Sequence, residues 1–149
     1  LYCFCDHNTL PTIRAGLEAA GWWYKNTLVW VKNNHGSGDL VGDFAPRHEF
    51  ILFITKGKGH PLSRPRRDNV LFANKVRAGR HKHGTEKPVH LLRTLITAST
   101  QPGEIVFDPY AGTGATAEAA YLENRGYVLV ETIAEYCESA RRRLASLVF

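Results

Sequence analysis

Two carboxylates and a pair of glycines carry the clearest chemistry in the chain. Asp108 closes a short apolar run, Ile105 to Phe107, and opens the stretch Asp108-Pro109-Tyr110-Ala111-Gly112-Thr113-Gly114. An alanine-rich segment follows directly, from Ala115 to Ala120. The order strand, glycine turn, helix presents unpaired backbone N–H groups at a helix start, beside a turn whose glycines let a ligand come close. Ala117 stands at the third small position of the pattern G-x-G-x-x-G/A, where a helix must lie close on a strand. A second apolar run, Tyr127 to Val130, ends in Glu131, 19 residues after Gly112. That is close to the roughly 20-residue spacing at which an acid meets ribose hydroxyls in nucleotide-binding units. A glycine turn that only joins a strand to a helix is the alternative reading of the same residues.

Asp108 discriminates between ligands. Beside a pyrophosphate its charge would repel, because like charges a few ångströms apart are unfavourable; beside a cationic amine it would attract. S-adenosyl-L-methionine (SAM) carries an ammonium, a sulfonium and a ribose, and no phosphate. The crevice therefore suits SAM better than NAD, with an unrelated nucleotide-binding Rossmann domain as the competing assignment.

The elements that must position these groups are legible along the chain. Residues 1–6 read as a strand. Leu10, Ile13, Leu17 and Ala20 recur at helical spacing, with Pro11 near the start and Gly21 as the stop. Thr27–Val31 is apolar on both faces, as a well-covered strand is, and Phe50–Ile54 can pair with it antiparallel across a long loop. Residues 56–84 read as an irregular basic loop, with a short strand at Val70–Phe72. Thr85-Glu86-Lys87-Pro88 places a proline in the first turn of a helix whose apolar face is Val89, Leu92, Leu95 and Ile96. After Glu131, Thr132-Ile133-Ala134-Glu135 has the form of a capping box. Ile133, Cys137, Ala140, Leu144 and Leu147 then mark a helix packed on a sheet. Arg141, Arg142 and Arg143 are read together as a solvated face near that helix's C-terminal end.

At 149 residues the chain is the size of a single domain, and no apolar run approaches the ~20 residues a membrane span needs. Its net charge of +5 is unevenly spread: Lys56 to Arg93 holds 11 Lys and Arg against 2 Asp and Glu, and the rest of the chain is acidic. A basic segment on an acidic body suits a polyanion such as nucleic acid, with Arg64, Arg66, Arg67, Arg77 and Arg80 as candidate phosphate contacts; a solvated loop is the alternative. Three cysteines, Cys3, Cys5 and Cys137, cannot build a disulfide framework and read as small buried hydrophobes of a reducing cytoplasm. His60, His81, His83 and His90 lack convincing ligand spacing, and no metal is expected.

Taken together, these residues resemble the DNA amino-methyltransferases, and within them the beta group, in which the catalytic motif precedes the cofactor motif. Trp30-Val31-Lys32, His48-Glu49-Phe50-Ile51-Leu52 and Lys56-Gly57 are similar to that family's W-x-K, H-E-x-I-L and K-G. His83-Gly84-Thr85-Glu86-Lys87-Pro88 resembles H-P-T-E-K-P, with Gly84 in place of proline, and Asp108 to Gly114 resembles D-P-F-x-G-S-G. The resemblance implies an α/β fold, a Rossmann-like SAM-dependent methyltransferase sheet with helices on both faces, mostly parallel with an antiparallel strand pair. It implies methyl transfer from SAM to the exocyclic amine of adenine (N6) or cytosine (N4) in double-stranded DNA, in a bacterial or phage-encoded setting, either restriction-modification or solitary. Asp108, Tyr110, Gly112 and Gly114 would line the methionine end of SAM, Glu131 would hold the ribose, and Thr85 and Lys87 would meet the carboxylate end.

The departure from the family is the absence of its catalytic D/N/S-P-P-Y/F/W. Asp108-Pro109-Tyr110 lacks the second proline and sits in the glycine loop. The chain is accordingly expected to be a single partial domain, residues 1–149, lacking the central strand that leads into that motif. An upstream segment or a second chain would supply that strand, or its neighbours would pair directly. A SAM- or DNA-binding module without catalysis is the alternative function.

Overall fold

The computed structural model describes residues 1–35, 41–57, 59, 61–76 and 86–147. They fall into two compact units: residues 1–61 with 65–74, and residues 62–64 with 75–149, as far as each is described.

The first unit is built on a four-stranded sheet. Strand β1 (Tyr2–Cys5) is followed by helix α1 (Leu10–Ala19), then β2 (Trp22–Val31), β3 (His48–Lys56) and β4 (Val70–Phe72). The spatial order is β1-β3-β2-β4. β3 pairs antiparallel with both β1 and β2, and β2 pairs parallel with β4. The expected antiparallel pair and the short strand at Val70–Phe72 are both present. β3 is the core strand for the reason its sequence suggests. Ile51 and Leu52 point to opposite faces, and both are fully buried, as is Ile54. Helix α1 packs on β2 and β3 through its half-buried stripe. It stops at Gly21, whose φ of 79° is the left-handed conformation that glycine adopts at a helix end.

Trp30 on β2 fastens the edge strand. Its indole is 1% exposed, and its Nε1–H donates to the Ala73 carbonyl just past β4 at 2.8 Å. The amide of Ala73 in turn donates to the Val31 carbonyl at 3.1 Å.

The second unit contains helix α2 (Val89–Ser99), strand β5 (Ile105–Asp108), helix α3 (Ala115–Leu122), strand β6 (Gly126–Leu129) and helix α4 (Ala134–Ala145). β5 and β6 pair in parallel, with Asp108 opposite Leu129, so β5-α3-β6 is a βαβ unit. α3 packs against α2. Ala117, Ala119 and Ala120 of α3 are fully buried, and Leu91, Leu92, Leu95 and Ile96 form the buried face of α2. Ser63 joins this unit by donating from its amide to the Ala98 carbonyl and from its hydroxyl to the Thr97 carbonyl, both at 2.8 Å.

One local reading of the sequence is corrected. Pro88 stands at the N-cap of α2, with extended ψ of 130°, and Val89 is the first helical residue; proline precedes the first turn instead of lying in it. Helix α4 also packs against α3. Among the described residues no helix is long and apolar enough to cross a membrane.

Replacing Trp30 by Phe removes the ring donor to the Ala73 carbonyl. An orphaned buried acceptor costs about 1–3 kcal/mol. The Trp30→Phe chain is expected to lose at least that much stability in urea unfolding followed by circular dichroism. An unchanged midpoint would show that the carbonyl finds another donor.

Candidate functional site

The site forms where the parallel pair β5–β6 ends, the place at which open α/β sheets present ligand crevices. Asp108 is the last residue of β5. Its Oδ1 accepts the Tyr110 amide at 2.9 Å and its Oδ2 accepts the Thr116 hydroxyl at 2.6 Å. The loop is stitched to the end of β6: the Val130 amide donates to the Asp108 carbonyl at 2.9 Å, and the Ala111 amide to the Val130 carbonyl at 3.0 Å. The Tyr110 ring lies outside this framework and is 89% exposed.

Glu131 closes the other side. Its Oε2 accepts the Gly112 amide at 2.8 Å. Its Oε1 accepts the amides of Thr132 and Ile133 at 2.8 and 2.9 Å. The capping box expected from Thr132 is therefore not formed. The N-cap of α4 is Ile133, without a side-chain cap, and the acid preceding the expected box has taken the two amides before the helix. In a capping box the Thr132 amide would be accepted by the Glu135 carboxylate; here the Glu131 carboxylate accepts it instead.

The two glycines do different work. Gly112, at φ 53°, lends its amide to Glu131. Gly114, at φ 84°, gives up the volume of a side chain: a Cβ there would lie 2.8 Å from the Ala140 Cβ of α4 and 3.2 Å from its Cα. The close approach that Gly114 permits is thus to a helix of the same unit. Ala117, at the third small position, is fully buried in α3.

A buried charged cluster braces the far side of the loop. Glu86 Oε1 pairs with Arg143 Nη2 at 2.6 Å, and Glu86 Oε2 accepts the Thr113 hydroxyl at 2.6 Å. Arg143 also donates through Nη1 to the Thr113 carbonyl at 3.0 Å and pairs through Nε with Glu118 at 3.1 Å. Reading Arg141, Arg142 and Arg143 as one solvated face is corrected here. The first two side chains are 76% and 69% exposed and pair only loosely with Glu138, whereas Arg143 is 6% exposed. The signal was present in the spacing. Arg143 falls three residues after Ala140 and one before Leu144, on the stripe that faces inward.

Of the remaining sequence-predicted residues, Lys87 is half-buried beside Glu86, and Thr85 lies outside the described residues. Arg64, Arg66 and Arg67 are exposed, the first in the second unit and the other two in the first. Arg77, Arg80, His60, His81 and His83 lie outside the described residues. Among the described residues no group of three or more His, Cys, Asp or Glu could hold a metal ion. Burial pushes the Cys3 and Cys5 thiols up, away from the reactive thiolate.

Comparison with known proteins covers nearly the whole chain. Residues 1–142 match the model of a family described as DNA methylase. The methylase-named protein YubD of Escherichia coli (strain K12) is 33% identical over 144 residues, spanning 97% of this chain and 61% of the relative. The Type II methyltransferase M.Cfr9I of Citrobacter freundii is 31% identical over 140 residues, spanning 86% of this chain and 46% of the relative. The chain thus spans about half the length of these relatives. Among solved structures, the M1.HpyAVI–SAM complex superposes with a TM-score of 0.84 at 28% identity, covering 96% of this chain and 72% of that one. The α/β fold class read from the sequence is borne out by that superposition.

Gly114→Ala is expected to destabilise the chain by about 1–2 kcal/mol through its left-handed backbone and a further ~1–3 kcal/mol through overlap with Ala140. In a thermal or urea double-mutant cycle, Gly114→Ala with Ala140→Gly should be less destabilised than the sum of the two single changes. Simple additivity would show that the two residues do not constrain each other.

Proposed function

The chain belongs to the DNA methylase family, and from that premise we propose that it supplies the SAM-binding part of an enzyme that methylates the exocyclic amine of adenine or cytosine in double-stranded DNA. The observation that carries the reading is the pair of carboxylates at the ends of adjacent parallel strands: Asp108, held by the Tyr110 amide and the Thr116 hydroxyl, and Glu131, held by the amides of Gly112, Thr132 and Ile133. The donor set fits the cofactor. A carboxylate that is oriented by neutral donors keeps its charge for an ammonium or sulfonium, and a second one at the next strand end suits a ribose diol. Tyr110 offers an exposed aromatic surface beside them. The SAM complex of M1.HpyAVI supports the choice of cofactor.

In this reading SAM, when bound, supplies an electrophilic methyl group, and the residues of this chain orient it. Asp108, Tyr110, Gly112 and Gly114 flank its methionine end, Glu131 its ribose, and Thr85 and Lys87 its carboxylate. The 149 residues contain no D/N/S-P-P-Y/F/W tetrapeptide. The groups that accept hydrogen bonds from the target amine and stack on the extruded base come, in the proposal, from residues outside them, whether on the same chain or on a second one.

Calorimetric titration of SAM into the chain is expected to show binding that Asp108→Ala abolishes. Retention of NAD in preference to SAM, or SAM binding indifferent to Asp108→Ala, would overturn the assignment. For DNA, changing Arg64, Arg66 and Arg67 to Ala should weaken all sequences similarly. It should also flatten the log–log salt dependence by about 0.9 for each phosphate that is no longer neutralised. Weakening confined to one sequence would point to base recognition instead.

A further inference from the structure

We propose that Arg143 is a positioning residue for the amino-acid end of the bound cofactor, a step that rests on reading the crevice as a SAM site. Three consecutive arginines near the end of α4 have three different exposures, and only Arg143 is drawn inside. Its guanidinium uses each of its nitrogens on a different segment: Nη2 on Glu86, Nε on Glu118 at the first turn of α3, and Nη1 on the carbonyl of Thr113. Glu86 completes the ring by accepting the Thr113 hydroxyl with its other oxygen. Thr113 lies between the two glycines and is buried, and it is held at both its hydroxyl and its carbonyl.

The ring acts on one end of the crevice. Gly112 is tied to Glu131, on the side assigned to ribose. The next residue, Thr113, is tied to Glu86, the residue before Lys87. Arg143 therefore sets the distance between the glycine loop and the Glu86–Lys87 segment, the two segments that flank the amino-acid portion in this reading. A buried ion pair is a poor way to gain stability, since apolar side chains of the same volume commonly do as well. A planar fork that fixes three acceptors at once is a good way to hold a geometry.

The test compares SAM with 5′-methylthioadenosine, which shares the adenine, ribose and sulfur but lacks the amino-acid end. Both are titrated into the full 149-residue chain, the weaker ligand by competition against SAM. Arg143→Met is expected to weaken SAM by on the order of tenfold or more, the scale of a displaced charge-assisted contact, and to leave 5′-methylthioadenosine unchanged within about twofold. Arg143→Lys, which keeps the charge without the fork, should fall between the parent and Arg143→Met for SAM alone. Should circular dichroism show that Arg143→Met does not fold, Glu86→Gln carries the same comparison. Equal weakening of both ligands would mean that the cluster only supports the fold, and no weakening of either would mean that it has no part in binding; each overturns the proposal while leaving the SAM site standing. Failure of the parent chain to bind SAM at all would overturn both.

Discussion

The second unit depends on a charged cluster, two of whose three members have almost no access to water. Glu86, Glu118 and Arg143 bring two carboxylates and a guanidinium together, with Glu86 and Arg143 nearly fully buried. Removing such groups from water costs several kcal/mol per ion, which the attraction repays only when the remaining hydrogen-bonding positions are filled. Here they are filled by Thr113, through its hydroxyl and its carbonyl. Among the described residues, no buried side-chain nitrogen or oxygen is left without a partner. The cluster reads as a device for fixing where segments lie, because it draws on residues 86, 113, 118 and 143, from four different parts of the chain.

The carboxylates of the crevice follow a different logic. Asp108 meets an amide and a hydroxyl, both neutral donors, so its charge is aimed and not cancelled. Glu131 spans the loop and the start of α4, accepting from Gly112 on one side and from Thr132 and Ile133 on the other. Such bonds fix each carboxylate's rotamer, which in the proposed reading lowers the entropy lost when SAM binds. The buried cluster and the crevice acids thus divide the labour, one fixing the distance between segments and the other fixing the direction of charge.

What the sequence made legible was local. The βαβ unit, the antiparallel pairing of β2 with β3 and the short strand at Val70–Phe72 follow from apolar runs and turn residues, and those signals are contained within a few neighbouring positions. What it hid was long-range. Arg143 stands beside two solvated arginines, and its partner Glu86 is 57 residues away. The apolar stripe of α4 marks Arg143 as the inward arginine of the three, but nothing in that stripe says which acid it will meet. The capping box failed for a related reason. Thr132 has the right residues after it, but its immediate neighbour Glu131 takes the Thr132 amide that the Glu135 carboxylate would accept in such a box. Gly114 was legible as a position that must lack a side chain, while the identity of its neighbour, Ala140 on α4, was not.

Ala140 and Arg143 lie three residues apart on α4 and so share a face. The small residue lets the helix touch Gly114, and the long one reaches past that contact to Thr113, Glu118 and Glu86. One helix face therefore both sets the closest approach of the glycine loop and holds the residue before Gly114 in place. A larger residue at 140 would lift the loop away from the helix and lengthen the bond that Arg143 makes to its Thr113 carbonyl; a shorter one at 143 would leave the loop close but unheld. The two positions constrain the same few ångströms from opposite directions. For this reason an apolar stripe interrupted by an arginine, which looks like an imperfect core helix in sequence, is what holds the glycine loop to α4 in the folded chain.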